Sequence, residues 1–277
     1  MTEATPVHTP ATGAQAVPGP VQVLVPLLFT LCFGWAMWRM PAFLIRYSEP
    51  GPTVDALLRR YVELGPLDWV AALGAAILAV VGVATVRRAP MEFEDWGLFD
   101  RISVFIGRVT MVLIAALVLV MFYEVIVRYV FEMPTLWANE VSLWMAGFVF
   151  ILSGLYAMQQ RSHIRIYLLY DMFPKALQRL CDVISTALIV LFAAALFYGG
   201  YGEAAAKFAR WETFGTAFDP PIPATLKPMV LIVVTLVAVQ AVVNLLRDWN
   251  AEPVVHTAAD DIDADELDRL RRQVGTE

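Results

Sequence analysis

Six apolar segments, each long enough to cross a lipid bilayer, constrain the fold of this 277-residue chain more than any other feature. A spanning helix needs about 20 apolar residues, because a helix rises about 1.5 Å per residue and the hydrocarbon core is about 30 Å thick. The predicted spans are 21–45, 67–86, 102–127, 136–158, 176–201 and 226–246. Since 59% of the residues are hydrophobic and 17% are charged, we predict an all-α membrane protein of about six transmembrane helices with short interfacial helices.

The composition divides the chain into four predicted regions. Residues 1–20 contain no Lys or Arg, which predicts a disordered tail rather than a signal peptide with a basic n-region. Residues 21–90 hold the first two spans and form an N-terminal extension, and residues 91–250 hold a core of four spans. Residues 251–277 form an acidic tail.

Basic residues in the connections indicate an orientation, because Lys and Arg concentrate in short cytoplasmic loops. The connections 87–101 and 159–179 carry three and four basic residues, against one in 128–137. We therefore expect these two connections and both termini on the cytoplasmic side. The pattern is not uniform, since 46–66 and 202–227, which would lie outside, carry three basic residues each.

The residue inventory argues against several functions. A haem held between membrane helices needs paired axial histidines, whereas the histidines here lie in predicted tails or a loop, at His8, His163 and His256. No Walker motif, nucleophile elbow, HExxH or CxxC occurs in the sequence, and no basic patch suggests nucleic acid. We therefore expect no enzyme activity, no metal, no cofactor and no nucleic-acid partner.

Acidic residues in the predicted spans lie near span ends, among them Glu124, Glu140 and Asp182. A proton or ion relay needs several acidic residues within the membrane. Glu124 precedes Arg128 by four residues, the favourable order for a helical ion pair. We interpret this as a neutralised pair at the interface, with a contact to a partner subunit as the alternative. Glu140 has no basic residue in its own span, and Arg128 is its expected partner.

The fourth span carries the most specific pattern. Residues spaced three and four apart form one seam along a helix, namely Trp137, Glu140, Trp144, Gly147, Ile151, Gly154 and Met158. Such a seam either packs inside this chain's own bundle or binds another subunit, and both interpretations are kept. Gln240 and Asn244, four apart in the sixth span, are expected to hydrogen-bond to another helix. The acidic stretch 90–101 is expected to lie at the membrane surface.

Several short motifs follow in order after the third span. It ends in Arg128-Tyr-Val-Phe, then come Pro134 and Trp137-x-x-Glu140, a glycine-containing span, and His163-Ile-Arg165-Ile in an interfacial segment. Over about Trp96 to Trp249 this order resembles the small, DctQ-like membrane subunit of tripartite ATP-independent periplasmic (TRAP) transporters. The matching positions are Arg128, Tyr129, Phe131, Pro134, Trp137, Glu140, His163, Ile164 and Arg165. The chain departs from the family at Tyr167, where an acid is frequent, and in its two additional N-terminal spans.

The resemblance implies a subunit of a bacterial inner-membrane secondary transporter. In such systems a periplasmic protein captures a solute, often an organic acid, and a large subunit carries the substrate and Na⁺ sites, while the small subunit is a static scaffold. The implied partners are the large permease subunit, the solute-binding protein and the lipid bilayer. The candidate interface residues are Arg128, Trp137, Glu140, Trp144, Gly147, Gly154, His163 and Arg165. Two alternatives are a self-contained small transporter or channel and a membrane anchor of a quinone-linked enzyme.

Overall fold

The computed structural model describes residues 19–47, 64–89, 97–161, 170 and 173–249. Within these residues lie α1 (Pro20–Trp38), α2 (Met40–Tyr47), α3 (Pro66–Thr85), α4 (Leu98–Val130), α5 (Ala138–Gln159), α6 (Lys175–Ala209) and α7 (Ile222–Asp248). All of these except α2 are long and apolar enough to cross a membrane, which makes six candidate spans. The described residues contain no strand, so the predicted all-α fold with six spans is confirmed. Residues 1–18 of the predicted N-terminal tail, the acidic tail, His163 and Arg165 lie outside the described residues, and α1 already begins at the last residue of the predicted N-terminal tail, Pro20.

The first predicted span is wrong in its length. It was expected to continue to residue 45, but α1 ends at Trp38 and a separate short helix, α2, begins at Met40. The backbone N–H of Arg39 bonds back to the Trp35 carbonyl at 3.0 Å and closes α1. Pro41 then lacks the N–H that a continuous helix would need at that point. The apolar run therefore covers two helices.

Two of the spanning helices are much longer than a bilayer is thick. α4 has 33 residues and α6 has 35, so each is roughly 50 Å long at about 1.5 Å per residue. A hydrocarbon core of about 30 Å leaves several turns of each helix outside it. Polar residues at the ends of α4 and α6 are therefore placed to meet the connections of other helices.

The helices pack in a row. α3 packs on α1, both contact α4, α4 packs on α5, α5 on α7, and α7 on α6. Three of these contacts have a glycine at the point of closest approach, where an added Cβ would overlap a side chain of the neighbouring helix. The pairs are Gly82 with Phe105, Gly107 with Tyr156 and Gly147 with Leu226. Because glycine has no side chain, it lets two helix backbones approach closely in a membrane.

The buried apolar core lies between α4, α5 and α7. Leu152 and Leu155 of α5 meet Val233 of α7, and Leu113 of α4 packs against them. Large apolar side chains elsewhere point outward, as at Phe150, which is 81% exposed. Lipid tails are as apolar as these side chains, so their exposure carries no penalty in a bilayer.

Candidate functional site

The polar contacts between helices collect at the two ends of the bundle. The end at which α1 and α4 finish and α5 and α7 begin is called the Glu140 end below, and the opposite end is called the Asp100 end. At both ends, carboxylates from one helix accept hydrogen bonds from residues far away in the sequence.

Glu140 joins the start of α5 to the loop 210–221 that precedes α7. Its Oε2 accepts hydrogen bonds from the Thr216 hydroxyl at 2.6 Å and from the backbone N–H of Asp219 at 3.0 Å. Asp219 has a φ of +61°, and its carboxylate accepts the Gly215 N–H at 2.6 Å. This N–H holds the pKa of Asp219 below its usual value, because it binds the charged form.

The expected pairing of Arg128 with Glu140 is wrong. Arg128 donates instead to Glu124, from Nε at 3.0 Å and from Nη2 at 2.6 Å. The physical reason is local, since positions four apart on one helix lie directly above one another. Glu140 faces a loop that supplies a hydroxyl and a backbone donor, so it needs no cation.

The predicted Glu124–Arg128 ion pair is confirmed, and it does more than neutralise charge. Glu124 is 3% exposed, and its second oxygen accepts the backbone N–H of Thr135 at 3.2 Å and the Thr135 hydroxyl. That hydroxyl in turn accepts the N–H of Ala138 at 3.3 Å, at the first turn of α5. Glu124 thereby fixes the connection between α4 and α5.

An aromatic cluster lies beside Glu140. The indole N–H of Trp144 donates to the Thr225 hydroxyl of α7 at 2.8 Å, and its ring centroid lies 6.4 Å from that of Trp38. Trp38 also stacks on Phe218 of the loop, with centroids 5.7 Å apart. The cluster thus connects α1, α5 and α7 at one point.

Most of the predicted seam on α5 faces this chain's own helices. Trp144 and Gly147 contact α7, Ile151 packs against the apolar core, and Met158 is buried. Gly154 differs, because a Cβ added there would meet no atom within 4 Å. The seam residues therefore pack against other helices of this chain, with the exception of Gly154.

Asp100 organises the opposite end of the bundle. It is 2% exposed and accepts the Gly97 N–H at 2.8 Å, Gln240 Nε2 at 3.1 Å and a guanidinium nitrogen of Arg247. The Gly97 contact is a capping box, in which a carboxylate at the third helical position reaches back to the N-cap. The sequence spacing Gly97–Asp100 was the available signal.

Gln240 and Asn244 continue this network, which confirms their predicted role between helices. Gln240 Oε1 accepts the Ser103 hydroxyl at 3.2 Å, and its amide donates to Asn244 at 2.9 Å. Asn244 donates to the Met158 carbonyl at 2.8 Å, at the end of α5. One continuous chain of hydrogen bonds therefore joins α4, α7 and α5.

The N-terminal helices α1 and α3 are joined at both ends by contacts that sequence reasoning missed. Asp68 is 4% exposed and accepts the Trp35 indole at 2.9 Å, Arg39 Nε at 3.1 Å and the Gly65 N–H at 2.9 Å. At the other end, Gln22 donates to the Thr85 carbonyl at 2.9 Å. The pair of helices forms an antiparallel hairpin.

These contacts define a class of protein. No group of three or more His, Cys, Asp or Glu in the described residues could hold a metal ion. Each of the buried carboxylates Asp68, Asp100 and Glu124 accepts several bonds that join one structural segment to another. The fold is that of a multi-span membrane protein whose buried polar side chains join helices and loops.

Comparison with known proteins finds a similarity over nearly half of the chain. The DctQ component of tripartite ATP-independent periplasmic transporters matches residues 117–251. The C4-dicarboxylate TRAP transporter small permease protein DctQ of Vibrio cholerae serotype O1 (strain ATCC 39315 / El Tor Inaba N16961) is 26% identical over 121 residues, 42% of this chain and 51% of that protein. The chain thus spans about half the length of this curated relative. No solved structure matches significantly. Over residues 117–251 the chain is DctQ-like, of the TRAP small permease type.

The matched segment contains several of the polar residues described above. It begins within α4 and continues through α5, α6 and α7, so it includes Glu124, Glu140 and Gln240. The resemblance inferred from the sequence is confirmed from residue 117 onward. α1, α3 and the first half of α4 lie outside the match.

Proposed function

We propose that this protein is the small membrane subunit of a TRAP transporter. In this role it is a scaffold that braces a large permease subunit during Na⁺-driven, binding-protein-dependent uptake of an organic acid or a similar solute. The observation that carries the proposal is the match of residues 117–251 to the DctQ component. A bacterial inner-membrane location follows from the same family.

The contacts of the buried carboxylates support a static role. Residues on an ion or solute pathway must exchange protein partners for the transported species. Glu124 instead accepts bonds from Arg128 and Thr135, and Asp100 accepts bonds from α4 and α7. Loss of one partner would leave a buried charge uncompensated, at a cost of several kcal/mol. No observation favours the alternatives of a self-contained transporter or an enzyme anchor.

The structure divides the candidate interface residues into two groups with different proposed roles. Trp144, Glu140 and Gly147 contact α7 and the loop before it, so they act on a partner indirectly, by fixing these segments. Arg128, with 48% of its side chain exposed, and Gly154 remain accessible. We therefore assign direct contact with the large subunit to the exposed face of α5 at Gly154.

We further propose that the Glu140 end faces the periplasm and that both termini are cytoplasmic. The support is the excess of Lys and Arg in the connections 87–101 and 159–179. The loop 210–221 would then face the solute-binding protein. Reporter fusions placed in loop 210–221 and after Trp249 should report opposite sides, and a cytoplasmic loop would contradict the orientation.

The N-terminal hairpin is proposed to brace the DctQ-like segment. Phe29 of α1 lies edge-on to Phe105 of α4, with centroids 5.3 Å apart, and Gly82 of α3 faces the same ring. At the Glu140 end Trp38 reaches Phe218. The hairpin thus supports both α4 and the loop that Glu140 holds.

Co-purification tests the proposed function. The tagged chain is co-expressed with a candidate large TRAP permease subunit from the same organism, and the large subunit should be recovered with it at a constant ratio. Gly154→Leu should lower this recovery several-fold, because a large side chain would block the proposed contact face. Gly199→Leu on α6 is the matched control, since a Cβ at either glycine meets no atom of this chain within 4 Å. Absence of the large subunit would refute the scaffold role, and equal losses in both variants would refute the assignment to α5.

A further inference from the structure

A cleft at the Asp100 end has the shape and lining of a site for an amphiphile. It lies between the end of α5, α6 and α7 and has a volume of about 130 Å³. Asp100 and Gln240 do not line this cleft. The proposed scaffold role does not explain it.

The chemistry of the lining changes with depth along α6. Arg179 lies about one turn from the start of the helix, at the end of the cleft called its mouth below. Ser185 and Thr186 lie about two turns further along, and Ile189 lies one turn beyond them, at the end called the floor. At about 1.5 Å per residue, Arg179 and Ile189 are separated by roughly 15 Å along the helix. α7 follows the same order in reverse, from Trp249 at the mouth to Ala241 at the floor.

The mouth contains the guanidinium of Arg179, which makes no ion pair with the residues that the structure describes. Arg161 donates to Asp248 at 2.7 and 2.5 Å and neutralises it. Arg179 lies over the ring of Trp249, 5.7 Å from the centroid, and among the described residues it has no carboxylate within ion-pair distance. A guanidinium that contacts the face of an indole still has N–H donors available for an oxyanion.

Asp182 is the remaining acid of the lining and it already accepts a hydrogen bond. The Tyr170 hydroxyl donates to its Oδ2 at 2.7 Å. The acid lies on the α6 face between Arg179 and the two hydroxyls. It would repel a free anion that entered deep into the cleft, and it leaves the mouth as the favourable position for a phosphate.

We propose that this cleft binds a membrane glycerophospholipid. Its phosphate contacts Arg179 beside Trp249, its ester carbonyls lie level with the hydroxyls of Ser185 and Thr186, and an acyl chain runs over Ile189. Lys and Arg side chains between membrane helices bind phosphate headgroups, and Arg provides bidentate contacts that match phosphate geometry. The bound lipid would fill the space between α6 and α7, and α7 is the one helix that α6 packs against extensively in the described part of the chain.

Native mass spectrometry of the full-length purified chain tests the site with four probes. Phosphatidylglycerol and phosphatidylethanolamine should each be retained as one tightly bound molecule, whereas diacylglycerol without a phosphate and inorganic phosphate should not. Retention of diacylglycerol to the same extent would overturn the role of the phosphate. Binding of inorganic phosphate in place of the lipids would show a free-anion site and overturn the lipid assignment.

Substitutions locate the lipid at the cleft. Arg179→Gln should weaken retention about tenfold, the effect of losing one charge-assisted contact, and Arg179→Lys should restore part of it. Arg210→Gln is the matched control, because it changes the net charge equally but lies beyond the far end of α6. Ile189→Trp should displace the lipid by filling the floor while leaving Arg179 in place. Equal effects of Arg179→Gln and Arg210→Gln would mean general attraction at the membrane surface and would refute the site.

Discussion

The bond between Glu140 and the loop 210–221 offers the sharpest local test of the structure. Glu140→Ala removes the acceptor of the Thr216 hydroxyl at 2.6 Å and of the Asp219 N–H at 3.0 Å. A hydrogen bond to a charged group contributes about 1.5–3 kcal/mol when it is well shielded. Because the Thr216 bond is exposed, we expect a loss of about 2–3 kcal/mol for both bonds together rather than the full sum.

This loss should appear as local opening of the loop before the bundle unfolds. Hydrogen exchange in detergent or nanodiscs should show the amides of residues 213–219 exchanging about 30- to 150-fold faster in Glu140→Ala, since about 1.4 kcal/mol corresponds to tenfold. The core around Leu155 should keep its protection. Asn139→Ala, next to Glu140 and exposed, is the control and should leave the loop unchanged.

A double-mutant cycle isolates the contact itself. Thr216→Val removes only the hydroxyl donor, so its effect should be smaller than that of Glu140→Ala. Residues in direct contact show coupling energies of about 0.5–3 kcal/mol, and we expect about 1 kcal/mol here. Additive effects, or unchanged loop exchange in Glu140→Ala, would refute the assignment of Glu140 as the residue that holds this loop.

Three further predictions follow from the other contacts. Asp100→Ala should lower the free energy of unfolding by about 2–4 kcal/mol, because Arg247 and Gln240 lose a buried acceptor. Denaturant unfolding in detergent measures this free energy, and a loss below about 0.5 kcal/mol would contradict the prediction. Gly82→Leu should separate the N-terminal hairpin from α4 by colliding with Phe105, seen as faster proteolysis between α3 and α4, whereas Gly199→Leu should have no effect. The lowered pKa of Asp219 means that its stabilisation of the loop is present above the ordinary Asp pKa and is lost as pH falls through the lowered value. The anisotropy of a fluorophore on the loop should therefore stay constant from about pH 8 to 5 and fall only below about pH 4, and a transition near pH 6 would contradict this.

Sequence reasoning predicted the features that depend on residues close together in the chain. Apolar runs identify spans because the bilayer sets their length. The Glu124–Arg128 pair was predictable because it lies within one helix. The cross-helix role of Gln240 was predictable from its polarity in an apolar span, although the identity of its partner was not.

The contacts that were missed join residues far apart in the chain. Glu140 meets a donor 79 residues away, and Asp100 meets Gln240 at a separation of 140 residues. A local pattern shows that a carboxylate near a membrane needs a donor but not which loop supplies it. The α5 seam shows the same limit, since spacing predicted a contact face without showing that α7 covers it.

Reconstituted uptake tests the scaffold role most directly. Proteoliposomes are prepared with this chain, with the candidate large permease, or with both, and Na⁺-driven uptake is measured in the presence of the matching solute-binding protein. We predict uptake only when both membrane subunits are present, and none with this chain alone. Solute uptake by this chain without the large permease, or full uptake by the large permease without this chain, would contradict the proposed role.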